Sequence, residues 1–286
     1  MKNALTFDVE EYFHAEAFAR VLRPEEWPTL ESRVTRSTER LLDILDRDRV
    51  RATFFVLGWV AERHPALVRE IASLGHEVAC HGYGHRMIHH LTRPEFERDV
   101  TKAKRAIEDA VGKPVLGYRA PTFSIMRETL WSLDVLAEVG FRYDSSIFPV
   151  VHDRYGIPDA PRFPHRLKGP GGGEIAEFPL STVQILGRRL PVAGGGYFRL
   201  FPYGVTRRAI ARINTREGQP AMVYLHPWEI DPEQPRLPVG PLTRFRHLVN
   251  VGKTEARLIR LLDDFAFAPA AEVLAETGLL ALGGAR

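Results

Sequence analysis

The chain has 286 residues, 44% hydrophobic and 26% charged, with a formal net charge of +3 at pH 7; this is ordinary for a globular protein and leaves room for one α/β barrel. Lysines and arginines are interleaved with acids along the chain, which excludes the one-sided cationic face that a nucleic-acid partner requires. A lone cysteine, Cys80, excludes an intrachain disulfide, and no apolar run reaches the length of a membrane span.

Residues 3–9 are mostly apolar and predict a buried strand. Residues 37–46 carry Leu41, Leu42, Ile44 and Leu45 at helical spacing. The run 51–57 is aromatic and β-branched, hence a strand. A helix over 60–74 is expected to stop at Gly75, and 77–80 to form a short strand. Thr92 and Glu95 make a capping box with Pro94 inside the first turn, so a helix runs from there to Gly112. Residues 115–118 predict a strand and 128–139 a helix ended by Gly140. Repeated βα units predict a parallel sheet with helices outside it. Periodicity fails over 151–173, which are rich in Pro and Gly. Strands at 174–178 and 182–186, a helix at 205–214, a strand at 221–225 and a helix at 254–263 follow, with a second Pro-rich stretch at 231–242. Loops this long in a compact domain are usually functional or disordered. With no longer apolar segment or cleavage site at the N-terminus, the expected location is cytoplasmic.

Polar residues gather where these strands end. Asp8 and Glu10 share one face of the first strand, with Glu11 behind them. His81 and His85 flank two glycines just after a strand. Imidazoles at that spacing suit a divalent metal, and the glycines allow the backbone to fold close to it. Arg119, in Tyr118-Arg119-Ala120-Pro121-Thr122, is placed to hold a carboxylate by a bidentate pair. His226, after the apolar strand 221–225, is a candidate acid or base. Asp144, in Tyr143-Asp144-Ser145-Ser146, is a candidate orienting carboxylate. In parallel α/β folds functional residues sit at the C-terminal ends of strands, so all of these could face one pocket. Two imidazoles and a carboxylate leave coordination positions for water and substrate.

This set resembles the NodB-type polysaccharide deacetylases, a family similar to carbohydrate esterase family 4. Thr6-Phe7-Asp8 resembles the opening of the family's first motif, His81 to His85 its His-x-x-x-His motif, Arg119-Ala120-Pro121 its Arg-x-Pro motif and Leu225-His226 its Leu-x-His motif. The tail, with His226-Pro227-Trp228-Glu229-Ile230-Asp231 and Arg244-Phe245-Arg246-His247, resembles the subgroup found beside exosortase and exopolysaccharide gene clusters. The resemblance implies a distorted (β/α)7 barrel in a single domain, residues 1–286, with the motif-bearing barrel over about 3–230 and a subgroup-specific extension over 231–286. It implies a metal-dependent hydrolase that removes N-acetyl groups from an amino-sugar polysaccharide or oligosaccharide, an exopolysaccharide in this subgroup. Glu10, His81 and His85 would hold the divalent metal, Zn²⁺ being the leading candidate. Asp8 would act as base, Arg119 would orient it, the Thr122 N–H would bind the oxyanion, and His226, oriented by Asp144, would act as acid. Family members carry two adjacent Asp residues where this chain has Asp8 and Val9; alternation assigns the second role to Glu10.

Competing readings are an allantoinase-like amidohydrolase, a non-catalytic glycan-binding protein, a glycoside hydrolase using Asp8 and Glu10, and a Cys80 nucleophile. Tyr12, Phe13, Tyr197, Phe198 and Trp228 suit sugar stacking. The Pro-rich segment 232–251, with Arg236, Arg244, Arg246 and His247, leaves the barrel on the active-site side and is expected to contact sugar hydroxyls or an anionic polymer.

Overall fold

A computed structural model describes residues 1–152, 154–192 and 194–282. Strand β1 (Asn3–Val9) is buried along its whole length, as a strand covered on both faces must be. The amphipathic helix α1 (Val34–Arg47) follows, then β2 (Thr53–Val56), α2 (Gly58–Arg63), α3 (Pro65–Ser73) and β3 (Glu77–Cys80). The single helix expected over 60–74 is thus two. Pro65 keeps its predecessor out of the helical region, and His64 sits at φ −126°, ψ 53°. Next come α4 (Arg93–Val111), β4 (Gly117–Tyr118), α5 (Ser132–Val139) and β5 (Tyr143–Asp144). The Thr92–Glu95 capping box forms as expected, and Gly112 ends α4 in the left-handed region at φ 68°.

The second half holds β6 (His165–Lys168), β7 (Glu174–Glu177), β8 (Thr182–Ile185), β9 (Arg188–Pro191), α6 (Gly195–Leu200), α7 (Tyr203–Arg216) and β10 (Met222–Leu225). It ends with α8 (Pro241–Leu248), α9 (Val251–Asp264), β11 (Phe267–Ala268) and α10 (Ala270–Glu276). The stretch 151–173 is not wholly irregular, because β6 pairs antiparallel with β7. Its residues alternate only between half-buried and exposed, so no apolar pattern marks it. The Pro-rich segment after β10 is likewise partly helical: Pro241 occupies the first turn of α8, where its missing N–H costs nothing.

Strands β10-β1-β2-β3-β4-β5-β7 pair in that order, all in parallel, with β6 on the outer edge and β11 against the start of β1. The result is a curled half-barrel of the distorted (β/α)7 kind. Alternation sorts the strand residues into two cores. Leu5, Phe7 and Val9 join Phe54, Val56, Cys80, Val223 and Leu225 under the helices. Ala4, Phe55, Ala79, Met222 and Tyr224 fill the interior of the curl. Ala270, Ala271, Val273 and Leu274 of α10 join that interior cluster, and the Ala270 N–H donates to Thr53 Oγ1 at 2.7 Å. The last elements therefore close the N-terminal end of the curl, and the C-terminal strand ends remain as its mouth. Among the described residues no helix is long and apolar enough to cross a membrane.

Candidate active site

Inward alternation along β1 brings Asp8 to the mouth, and Glu10 follows one step beyond the strand; each is 2% exposed. Val9 between them packs into the outer core. Glu11 behaves differently. Its Oε2 accepts the Arg33 and Val34 N–H groups at 2.9 and 3.2 Å, capping the start of α1 from a distance. The three acids thus divide into two that face the pocket and one that is structural.

His81 continues the inward face of β3. Its Nδ1–H donates to the Arg119 carbonyl at 2.9 Å, which leaves Nε2 as the free lone pair. Gly82 then turns the chain at φ 74°, a left-handed conformation that a side chain would strain. His85, itself at φ 52°, comes back to the same spot. His85 Nε2 and His81 Nε2 lie 2.8 and 3.9 Å from Glu10 Oε2. The three donor atoms are all within 4.8 Å of one another. Glu10 Oε2 is buried and accepts no hydrogen bond of ordinary geometry, whereas Oε1 takes the Trp228 indole N–H at 3.1 Å. Burial pushes the His81 pKa down to about 4, which keeps it in the neutral form a metal requires. A buried carboxylate oxygen lacking a donor and facing two imidazole nitrogens fits a divalent cation.

Arg119 is completely buried. Its Nη1–H groups reach Asp8 Oδ1 at 2.7 Å and Thr6 Oγ1 at 2.8 Å. Nε donates to the Ser145 carbonyl at 3.1 Å and Nη2 to Ser145 Oγ at 2.9 Å. The expected bidentate pair is therefore corrected: Asp8 receives one nitrogen, because Ser145 and Thr6 occupy the rest of the fork. The Phe55 ring lies under the guanidinium, 4.1 Å from its carbon. Asp8 Oδ2 is left facing His226 Nε2, 3.9 Å away.

His226 Nε2 is also 3.8 Å from Glu10 Oε1. Its partner on the other side is Glu229, not Asp144. Glu229 Oε2 accepts from His226 Nδ1 at 3.0 Å and from the His226 backbone N–H at 2.9 Å. Glu229 Oε1 accepts from Arg199 Nε at 2.6 Å. Trp228 stacks on the imidazole with centroids 4.8 Å apart. Burial disfavours the charged imidazole, but the Glu229 hydrogen bond and the charges of Glu229, Glu10 and Asp8 outweigh it and raise the pKa to about 9. Glu229 is itself lowered to about 2: burial opposes ionisation, and the Arg199 charge with the His226 contacts overcomes it. Asp144 is held elsewhere, by Ser146 Oγ at 2.5 Å and the Ser146 N–H at 3.2 Å. It stands in register with Glu177 on the next strand. Burial raises both acids, and the Asp144 charge drives Glu177 further up; the pair lies behind Arg119 and does not reach His226.

Thr122 sits at φ 55° in a tight turn after β4. It lines a cavity of about 160 Å³ together with Asp8, Glu10, His81, His85 and His226. A second cleft of about 480 Å³ shares Ala15, Tyr155, Tyr224 and Trp228 with that cavity. Of the aromatic residues expected to stack on sugar, Tyr197 and Trp228 line this cleft. Tyr12, Phe13 and Phe198 belong to the outer core. Arg246 and His247 line the cleft, and Arg244 and Arg236 do not. Cys80 is buried under the helices, where burial pushes its thiol up and out of reach as a nucleophile. Sequence reasoning passed over Glu229 and Arg199. The signal for Glu229 was its place three residues after His226 and directly after Pro227-Trp228, the spacing of a capping box.

Residues 3–143 match the polysaccharide deacetylase family model, and residues 145–275 match a domain of unknown function, DUF3473. The first segment is thus similar to the polysaccharide deacetylase family over just under half of the chain. Within the curated proteins, the chain is 38% identical over 99 residues to a chitooligosaccharide deacetylase of Sinorhizobium fredii, covering 35% of this chain and 44% of that one. It is 28% identical over 120 residues to a peptidoglycan-N-acetylglucosamine deacetylase of Bacillus cereus, covering 38% of this chain and 44% of that one. The chain thus spans less than half the length of these relatives. Among solved structures, one from Mycobacterium smegmatis, described as a candidate polysaccharide deacetylase, superposes with a TM-score of 0.64 at 22% identity over 97% of this chain and 91% of that one. That likeness extends the deacetylase-family fold across both segments.

Proposed function

We propose that the protein is a metal-dependent hydrolase that removes N-acetyl groups from an amino-sugar polysaccharide. The observation that carries this reading is the meeting of two sets at one mouth. Glu10, His81 and His85 present their donor atoms within 4.8 Å of one another, beside an Arg119-held Asp8 whose other oxygen faces His226. Pure binding needs no such proton relay.

Glu10, His81 and His85 would hold the cation, Zn²⁺ in our reading. When bound it supplies a Lewis acid for the amide carbonyl and lowers the pKa of water from about 15.7 toward 7. Asp8 Oδ2 takes the proton of the attacking water, while Arg119 fixes Oδ1 in place. The Thr122 N–H, on its strained turn, donates to the developing oxyanion. His226 Nε2 gives its proton to the departing amine, a contribution commonly of about 10²–10⁴-fold. Glu229 performs the orienting task first assigned to Asp144. It holds the Nδ1 side of His226 and favours the imidazolium, and Arg199 in turn holds Glu229. The products are acetate and an amino sugar with a free amine. The adjoining 480 Å³ cleft favours an extended glycan over a small ureide.

We further propose that residues 1–286 act as one deacetylase domain, with a barrel over about 3–230 and an extension over 231–286. Support comes from β1, which pairs with β10 and β11, and from His226, which lies beyond the first family segment. The tail motifs around His226 and Arg246 support an exopolysaccharide as the substrate.

The test is acetate release from a panel of N-acetylated oligosaccharides by metal-stripped and zinc-restored protein. Release restored by zinc is expected. Absence of release from every N-acetylated glycan by protein that retains one metal per chain would overturn the reading.

A further inference from the structure

The 480 Å³ cleft is built almost wholly by the segment of unknown function; only Ala15 and Ala17 come from outside it. It opens beside the reaction pocket, with which it shares Tyr155, Tyr224 and Trp228. None of its described lining residues is acidic, whereas Arg154, Arg199 and Arg246 all contribute. Arg199 is 3% exposed and is neutralised by Glu229. Arg154 and Arg246 are exposed and present cationic groups to the open face. Phe245, 56% exposed, and half-buried Tyr197 offer ring surface to the same space.

This wall is a built feature. The Arg199 guanidinium donates to the backbone carbonyls of Arg246, His247 and Val249 at 3.2, 2.8 and 3.1 Å. One buried cation therefore anchors the end of α8 that carries Phe245 and Arg246. His247 packs flat on Trp228, with centroids 4.4 Å apart, and so joins this wall to the wall of the reaction pocket.

The geometry points to a second sugar subsite, and we infer that it takes a sugar residue bearing a carboxylate. Aromatic faces match the apolar C–H face of a pyranose. Guanidinium groups match a planar carboxylate by paired charge-assisted hydrogen bonds. The inference rests on the deacetylase reading only in that the cleft adjoins that pocket. It makes the protein selective for an acidic heteropolymer in which the N-acetylated sugar neighbours a uronate-type residue.

The test is equilibrium binding of two trisaccharides without acetyl groups, trigalacturonate and neutral cellotriose, to the full chain. The wild type should bind trigalacturonate about tenfold more tightly, the contribution of a charge-assisted hydrogen bond at a partly exposed site. This preference should collapse at about 0.5 M salt, where screening is short-ranged. It should vanish in an Arg154→Ala, Arg246→Ala double variant. It should persist in Arg244→Ala, which alters the same helix outside the cleft. Equal affinity of the wild type for both trisaccharides overturns the inference, as does a preference that survives in the double variant. Acetate release from the whole panel of N-acetylated glycans, by protein that retains one metal per chain, forms a separate arm. Its absence alongside an intact acidic preference overturns the deacetylase reading and supports the subsite.

Discussion

The two family segments contribute to one site in different ways. Residues 3–143 place Asp8, His81 and Arg119 at the ends of paired strands whose residues alternate between the two cores. Residues 145–275 place His226 in the same manner, at the end of β10. The groups that hold the Nδ1 side of His226 come from outside the parallel strands, however. Glu229 lies on a 3-10 turn, Arg199 on a six-residue helix, and Arg199 also bonds the backbone at the end of α8. The first segment is organised by sheet periodicity, and the second by buried polar bonds between short elements. Chemistry that depends on position can thus be held by strands, while pKa and substrate choice are set by loops.

The sharpest break between the segments is expected from the metal ligands, all of which lie in the first. A His81→Ala, His85→Ala double variant should fall from about one bound divalent ion to none and lose all acetate release; metal analysis of the purified protein decides it. Stoichiometric zinc in that variant would remove the proposed site. Next is Asp8→Asn, which should lower kcat by about 10⁴-fold while keeping the metal. Glu10→Gln should instead lose the metal first, and the reverse pattern for the two variants would invert their roles.

A smaller effect is expected from the second segment. Glu229→Gln should lower kcat by about 10²-fold with the metal content unchanged. Its pH profile carries the more telling signature. The His226 pKa is raised to about 9, so the protonated acid is present at neutral pH and is lost as pH rises through that value. Removing the Glu229 charge lowers this pKa, and the alkaline limb of kcat should move to lower pH. A limb that stays in place in Glu229→Gln would show that another group donates the proton. The smallest effect should come from Asp144→Asn. Asp144 is held by Ser146 and makes no contact with His226, so kcat should stay within about twofold. A loss as large as that of Glu229→Gln would return the orienting role to Asp144.

Legibility in the sequence follows the same divide. Asp8, Glu10, His81 and Arg119 each follow an apolar run, and strand alternation puts them on one face, whereas His85 is returned to it by the turn at Gly82. Val9 illustrates this well: its burial in the outer core is what makes the acid two residues from Asp8 the one that meets the histidines. Asp144 also lies at a strand end, but its side chain is captured by Ser146 two residues on, a local bond that alternation does not reveal. Strand β6 and helix α8 were hidden because one has no apolar face and the other begins among prolines. Arg199 is buried by a long-range partner thirty residues away, and no spacing rule reaches that far.

Strand β1 has a consequence for how the chain acquires its shape. It precedes the other described strands and is one of the most fully enclosed, yet two of its partners, β10 and β11, follow far along the chain. Until residues 222–225 and 267–268 have been synthesised, one flank of β1 has no neighbour and the interior lacks its α10 plug. Such long separations slow folding, because loop closure must precede the contacts that repay it. The polypeptide therefore has to carry an unfinished apolar edge until those residues are made, a state in which incompletely folded chains are prone to aggregate.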